Sequence, residues 1–184
     1  MMNRKVIAIS GKARHGKDTV ADLLIKFYAE QGIKAIKIPL ATYIKTYAKM
    51  LGWDGRDETK PRELLQQLGT DIIKIKMNKR LFHVERVATD IEILSEVSED
   101  IRPQVFIIPD ARFQSEVNYL KAYFKDELTL IRVERSNFDN HLTEEQKNHL
   151  SEVDLDNYGG FNYKLENDGT IESLAQKIRE GIMS

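Results

Sequence analysis

The run Gly11 to Lys17, GKARHGK, holds the residue types and spacing that phosphate chemistry asks for. Glycines at both ends of a G-x-x-x-x-G-K pattern let the backbone turn tightly and aim successive N–H groups inward, and a helix starting there adds partial positive charge. Lys17 then reaches the β- and γ-phosphates of a nucleoside triphosphate. Such a pattern usually closes on a Ser or Thr whose hydroxyl binds Mg²⁺; here Asp18 stands in that place and Thr19 follows. A carboxylate so close to a triphosphate repels it unless a cation intervenes. Asp18 therefore either helps to hold hydrated Mg²⁺ or accepts a hydrogen bond from the phosphoryl acceptor side. It also suits the first turn of a helix. The candidate triphosphate contacts are Gly11, Lys12, Ala13, Arg14, His15, Gly16, Lys17, Asp18 and Thr19.

Moving a phosphoryl group needs positioning and positive charge rather than a covalent nucleophile. Outside the loop the candidate cations are Arg62, Arg112, Arg132 and Arg135, with Arg14 inside it. Arg62 at a helix start and Arg112 just past a strand end are placed for bidentate phosphate contacts, whereas Arg132 reads as a surface ion pair. Asp110 ends an apolar strand and could hold Mg²⁺ through water; Glu116 reads as a helix cap or as a group orienting the acceptor. Between Ser136 and Gly160 there is no arginine, so a cation acting from that segment is Arg135, or Arg14 from the loop. The four histidines show no metal-ligand spacing.

These groups need elements to hold them. An apolar run at Val6–Ile9 predicts a strand ahead of the loop, and Val20, Leu23, Leu24, Phe27 and Tyr28 recur at helical spacing behind it, with Gly32 at the helix end. Lys34–Leu40 reads as a second strand, which implies a parallel pair with the first. A helix is predicted over Ala41–Leu51. Another begins at Pro61 and carries Leu64, Leu65, Leu68, Ile72 and Ile73 on one face, with a bend or close approach at Gly69. Phe82–Glu99 is amphipathic. Gln104–Pro109 reads as a buried parallel strand whose end, with Asp110 and Arg112, faces a ligand crevice. A helix over Val117–Phe124 and a strand over Leu128–Val133 follow. The polar stretch Ser136–Asp156 is a candidate lid, and a strand at Tyr163–Glu166, a turn at Asn167–Gly169 and a helix from Ile171 close the chain.

The 184 residues, 41% hydrophobic and 31% charged with a formal net charge of −1, fit one soluble domain and lack the cationic tract of a duplex binder. With no cysteine, disulfides, thiolate catalysis and cysteine zinc sites are excluded. The apolar stretch at the start is too short for a signal peptide and no later run approaches a membrane span, so a cytoplasmic location is expected.

Five blocks in chain order, the loop ending in GKDT, RELLQQLGTD (Arg62 to Asp71), IIPDARFQSE (Ile107 to Glu116), HLSE (His149 to Glu152) and NDGTIESL (Asn167 to Leu174), together resemble the phage and bacterial deoxynucleoside monophosphate kinases. The resemblance spans nearly the whole chain. It implies an α/β, three-layer P-loop NTPase fold with a five-stranded parallel sheet, nucleoside monophosphate kinase-like, forming one domain. An acceptor-binding region would occupy about 41–100 and a lid about 136–160. It further implies ATP and Mg²⁺, and transfer of the γ-phosphoryl to the 5′-phosphate of a deoxynucleoside monophosphate by a monomer or homodimer whose partners are small nucleotides, with no nucleic acid and no membrane. Residue by residue, it makes Lys17, Asp18, Asp110, Arg112 and Arg135 catalytic, with Asp18 and Asp110 near the metal. The turn Asn167, Asp168 and Gly169 becomes the adenine-side wall, and Arg62, Gln66, Thr70, Asp110, Arg112, Glu116 and His149 become acceptor contacts. Dephospho-CoA and phosphomevalonate-type kinases share such motifs, and a non-catalytic ATP-binding regulator is a reading of a different class. The block RELLQQLGTD favours a nucleotide acceptor, while the base and sugar it takes stay open, as do stacking and packing roles for Trp53, Tyr43 and Tyr47.

Overall fold

Strand β1 (Lys5–Ser10) has five buried residues in a row, and this double-sided burial puts it at the centre of a sheet. The computed structural model describes residues 4–56, 58–97, 101–136 and 138–183. After β1 come helix α1 (Lys17–Glu30), strand β2 (Ala35–Lys37) and helix α2 (Thr42–Met50). Helix α3 (Arg62–Gln66) runs directly into a π-helix (Gln67–Lys76), followed by α4 (Phe82–Ser95), β3 (Val105–Ala111) and α5 (Gln114–Phe124). A 3₁₀ turn (Lys125–Glu127) leads into β4 (Leu128–Glu134). Two short helices, α6 (Glu144–Asn148) and α7 (Leu150–Val153), precede β5 (Tyr163–Glu166) and α8 (Ile171–Gly181). The helix expected over 82–99 is thus seen to Ser95, and positions 98 and 99 lie outside the described residues.

The sheet runs β2-β3-β1-β4-β5 and every pairing is parallel. β1 and β2 are parallel but do not pair, contrary to the expectation from their order in the chain, because β3 lies between them. The reason lies in composition: β3 buries five consecutive residues and needs neighbours and cover on both sides, whereas β2 is three residues long and half-buried, which suits an edge.

Alternation along the strands divides the core in two. Val6, Ala8, Phe106, Ile108 and Leu130 face α4 and α5 through Val84, Val87, Ile91, Val117 and Leu120. Ile7, Ile9, Ile107, Ile131 and Val133 face α1 and α8 through Val20, Leu24, Phe27, Leu174 and Ile178. Each of these side chains larger than alanine contributes roughly 1.5–3 kcal/mol by leaving water, so this three-layer sandwich fixes the strand ends rigidly. In the β1–β3 ladder the register slips by one, from Ala8 opposite Ile108 to Ser10 opposite Ala111. The slip falls at Pro109, which has no N–H to give the ladder, and it leaves Asp110 half-buried at the crevice instead of in the core.

The π-helix overturns one expectation. An apolar stripe continuing at helical spacing would bury Ile72 and Ile73 together. Instead Ile72 is 39% and Ile75 57% exposed, while Thr70 and Lys74 are buried. Hydrogen bonds that span five residues, such as Met77 N–H to the Ile72 carbonyl at 2.8 Å, widen each turn and rotate the face presented inward. Gly69 sits at this interruption in close approach to α2: a Cβ there would lie 2.6 Å from Ile44 Cδ1.

Candidate active site

The loop between β1 and α1 is held from both sides by close contacts at its two glycines. Gly16 has φ +93°, and a Cβ on it would overlap the Asn167 amide, whose Nδ2 donates to the His15 carbonyl at 2.9 Å. A Cβ on Gly11 would overlap the Val133 carbonyl at the end of β4. Asn167 therefore meets the loop directly. Asp168 lies beyond it, paired with Lys177 at 3.3 Å on the surface, and that ammonium lowers its carboxyl pKa.

Lys17 is 7% exposed and its Nζ donates to the carbonyls of Gly11 and Lys12, both at 2.8 Å. Burial, reinforced by the nearby Arg112 charge, lowers its pKa to about 7 despite Glu152, Asp18 and Asp110. His15 is also pushed below its ordinary value, first by burial and then by Lys17, Arg132 and Lys12. Its Nδ1 accepts the Arg135 backbone N–H at 3.1 Å, so the loop and the segment that follows β4 are joined through this imidazole. The Arg135 guanidinium lies 4.1 Å over the Phe138 ring.

In front of the loop lies a cavity of about 620 Å³. Its loop end is lined by Arg14, Lys17, Asp18, Asp110 and Arg112, and its far wall by Arg62, Gln66, Thr70, Phe113 and Glu116. The fold thus brings together the two separate sets of sequence candidates, from the loop and from RELLQQLGTD. His149 and Arg135 do not line this cavity. The His149 Nδ1 instead accepts from the Ser151 N–H at the start of α7, and its Nε2 lies 3.9 Å from Asp71. Among the aromatic candidates, Tyr43 donates to Asp90 at 2.6 Å and the Trp53 indole to the Arg56 carbonyl at 3.1 Å, and neither lines the cavity.

Asp110 bridges β3 to the segment that leads from β2 into α2. Its two oxygens accept the Leu40 and Ala41 N–H groups at 2.8 and 2.9 Å, while burial raises its pKa against those hydrogen bonds. Asp18 is exposed in the first turn of α1. Among the described residues no cluster of three or more His, Asp or Glu is poised around a metal. Two hard carboxylates beside a phosphate cradle fit Mg²⁺, which keeps several waters and takes only one or two protein ligands next to substrate phosphates.

Lys74 and His83, both lining the cavity, escaped sequence reasoning. Lys74, on the π-helix, forms a buried ion pair with Glu116 and lies 3.5 Å from the centre of the Phe113 ring. Glu116 also accepts the N–H groups of Arg112 and Phe113 at 3.0 and 3.1 Å, so it caps α5 and anchors the floor of the cavity at once. His83 lines the cavity at 2% exposure with no hydrogen bond to either ring nitrogen among the described residues, and burial lowers its pKa to about 4. Arg132 corrects the expectation of a surface pair. It is 6% exposed, donates to Ser10 Oγ at 3.1 Å and pairs with Asp156 at 2.9 Å.

A family model for deoxynucleotide monophosphate kinase matches residues 48–178, from α2 to α8. No curated protein matches the chain. Among solved structures, the APS kinase CysC of Mycobacterium tuberculosis in complex with AMPPNP and APS superimposes with TM-score 0.58 at 14% identity, covering 100% of both chains. A gluconokinase from Sinorhizobium meliloti 1021 gives TM-score 0.53 at 11% identity over 100% of this chain and 94% of that one. TT1252 from Thermus thermophilus gives 0.54 at 18% identity, over 97% and 96%. At these identities the likeness shows the fold, that of the P-loop kinases.

Proposed function

Because the chain belongs to the deoxynucleotide monophosphate kinase family, we propose that it transfers the γ-phosphoryl of ATP to the 5′-phosphate of a deoxynucleoside monophosphate, yielding the diphosphate. The observation that carries this reading is the single cavity that joins the phosphate loop, with Lys17, to the wall bearing Arg62, Gln66 and Thr70. The loop side binds the donor triphosphate. The wall side binds the acceptor, with Arg62 and Arg112 pairing its phosphate and Gln66 and Thr70 facing its nucleoside. Arg112 stands where the two phosphates meet and supplies charge to the moving group. Mg²⁺, held through water by Asp18 and Asp110, would neutralise the donor phosphates. Asn167 and the turn after it form the wall beside the donor nucleoside, and Arg135 stands at the base of the lid, residues 136–160, which closes over the acceptor region of residues 41–100 and excludes water.

The test is a product assay with purified protein, ATP and Mg²⁺ against each deoxynucleoside monophosphate, each ribonucleotide, dephospho-CoA and phosphomevalonate, read by ion-exchange chromatography. Deoxynucleoside diphosphate is the expected product. Product from dephospho-CoA or phosphomevalonate alone keeps the kinase and removes the acceptor assignment, and ATP binding without any product makes the chain a nucleotide-binding regulator.

A further inference from the structure

Two of the loop's donors, the Ala13 N–H and the Lys12 ammonium, are already taken by carboxylates. Glu152 of α7 is 7% exposed; its Oε2 accepts the Ala13 N–H at 2.8 Å, and its Oε1 pairs with Arg112. Arg112 also donates to the Ser151 carbonyl at 3.2 Å. Four residues on, Asp156 pairs with Lys12 at 2.8 Å and with the buried Arg132 at 2.9 Å. Lys17, for its part, is turned onto loop carbonyls. Glu152 lines the large cavity on one side and, on the other, a smaller one of about 390 Å³ with Lys12, His15, Phe138 and Lys147. It is therefore a wall between the two spaces.

An anion held by a loop N–H and an arginine at this junction has the donors that a phosphoryl group in transit needs. Its charge also cannot remain beside two bound phosphates without strong repulsion. We propose that the Glu152 carboxylate stands in for the transferred phosphoryl group, so that the Ala13 N–H and Arg112 are that group's ligands and donor binding expels Glu152 from the loop. Asp156 on Lys12 and Arg132 fastens the same segment, so the lid is latched by two carboxylates that substrate phosphates replace. The affinity for ATP is then reduced by the fraction of molecules in which the latch is shut. This inference rests on the loop being the ATP site.

The experiment compares ATP and adenosine binding to the wild-type chain and to Glu152→Gln, with circular dichroism as the check on folding. Glu152→Gln keeps the size and loses the charge, so ATP is expected to bind about tenfold more tightly, within the usual range of coupling between sites. Adenosine, which carries no phosphate, is expected to bind equally to both. Unchanged or weaker ATP binding by the folded variant overturns the inference, as does equal tightening of adenosine. Amide exchange in the wild-type chain gives a readout that needs no variant: ATP is expected to speed exchange in residues 149–156, and unchanged or slower exchange overturns the inference. A wild-type chain that binds no ATP refutes the donor reading itself, a result distinct from either of these.

Discussion

Lys17 offers the sharpest quantitative test, because its burial turns an ordinary lysine into a group that titrates in the neutral range. With a pKa of about 7 it is half-charged at pH 7 and only about one part in a hundred charged at pH 9. Bound phosphate stabilises the ammonium, so ATP binding must pull a proton onto Lys17 whenever it is found neutral. The sign follows: ATP affinity is greatest below pH 7 and falls with rising pH, by about 50-fold between pH 7 and pH 9 from this group alone. Saturating Mg²⁺ keeps the terminal phosphate of ATP fully ionised across this range, so that group adds nothing to the proton count. Isothermal titration calorimetry in buffers of different ionisation enthalpy reads the effect directly, as uptake of about half a proton at pH 7 rising toward one at pH 8.5. Lys17→Met should bind weakly at every pH with no such uptake. A wild-type Kd that is flat from pH 7 to 9 with no proton uptake would refute the assignment of Lys17 to the phosphates.

Other consequences can be checked at less length. Gly16→Ala should abolish ATP binding and lower Tm, and Gly16→Ala with Asn167→Ala should recover part of the Tm, because the added Cβ overlaps that amide; no recovery would mean that the φ of +93° alone is limiting. Asp110→Asn places an amide against the Leu40 or Ala41 N–H and should cost about 1–3 kcal/mol in urea unfolding. His83 has its folded pKa depressed to about 4 from 6.5, so its contribution is present above pH 6.5 and is lost as pH falls toward 4. Across that window urea stability should fall by up to about 1.4 kcal/mol per pH unit from this group, and His83→Leu should remove that component. Arg112→Ala should lower kcat far more than it weakens ATP binding; equal losses would make it a simple ATP contact.

The parts legible in the sequence were those whose meaning is local. Two glycines and a lysine at fixed spacing, between an apolar run and a helical one, predict a tight loop between a strand and a helix with no reference to distant residues, and strand ends follow from burial patterns a few residues long. The two donors to Asp110 were not legible, because they lie about 70 residues away in the chain. Glu152 shows the limit most clearly. The block HLSE drew attention to His149, yet it is Glu152 that reaches a loop N–H 139 positions away, and no periodicity encodes such a docking. Lys74 and His83 were hidden for a different reason: a basic residue and a histidine on amphipathic segments read as solvated or core until a change of winding and a cavity give them a common space. Arg132 read as an exposed partner because the carboxylate that receives it, Asp156, belongs to a segment with few apolar anchors of its own.

The π-helix at Gln67–Lys76 has a bearing on how such a site can change over generations. A segment wound on five-residue spacing is related to an ordinary helix by one residue more or less, so a single-codon insertion or deletion acts on it as a twist. Removing one residue would return the segment to the tighter winding and carry Lys74 away from Glu116, while every residue lining the wall kept its identity. The shape of the cavity is in this sense set by a count as well as by chemistry. Two descendants of this chain could differ in what they admit without a substitution at any position that lines the cavity.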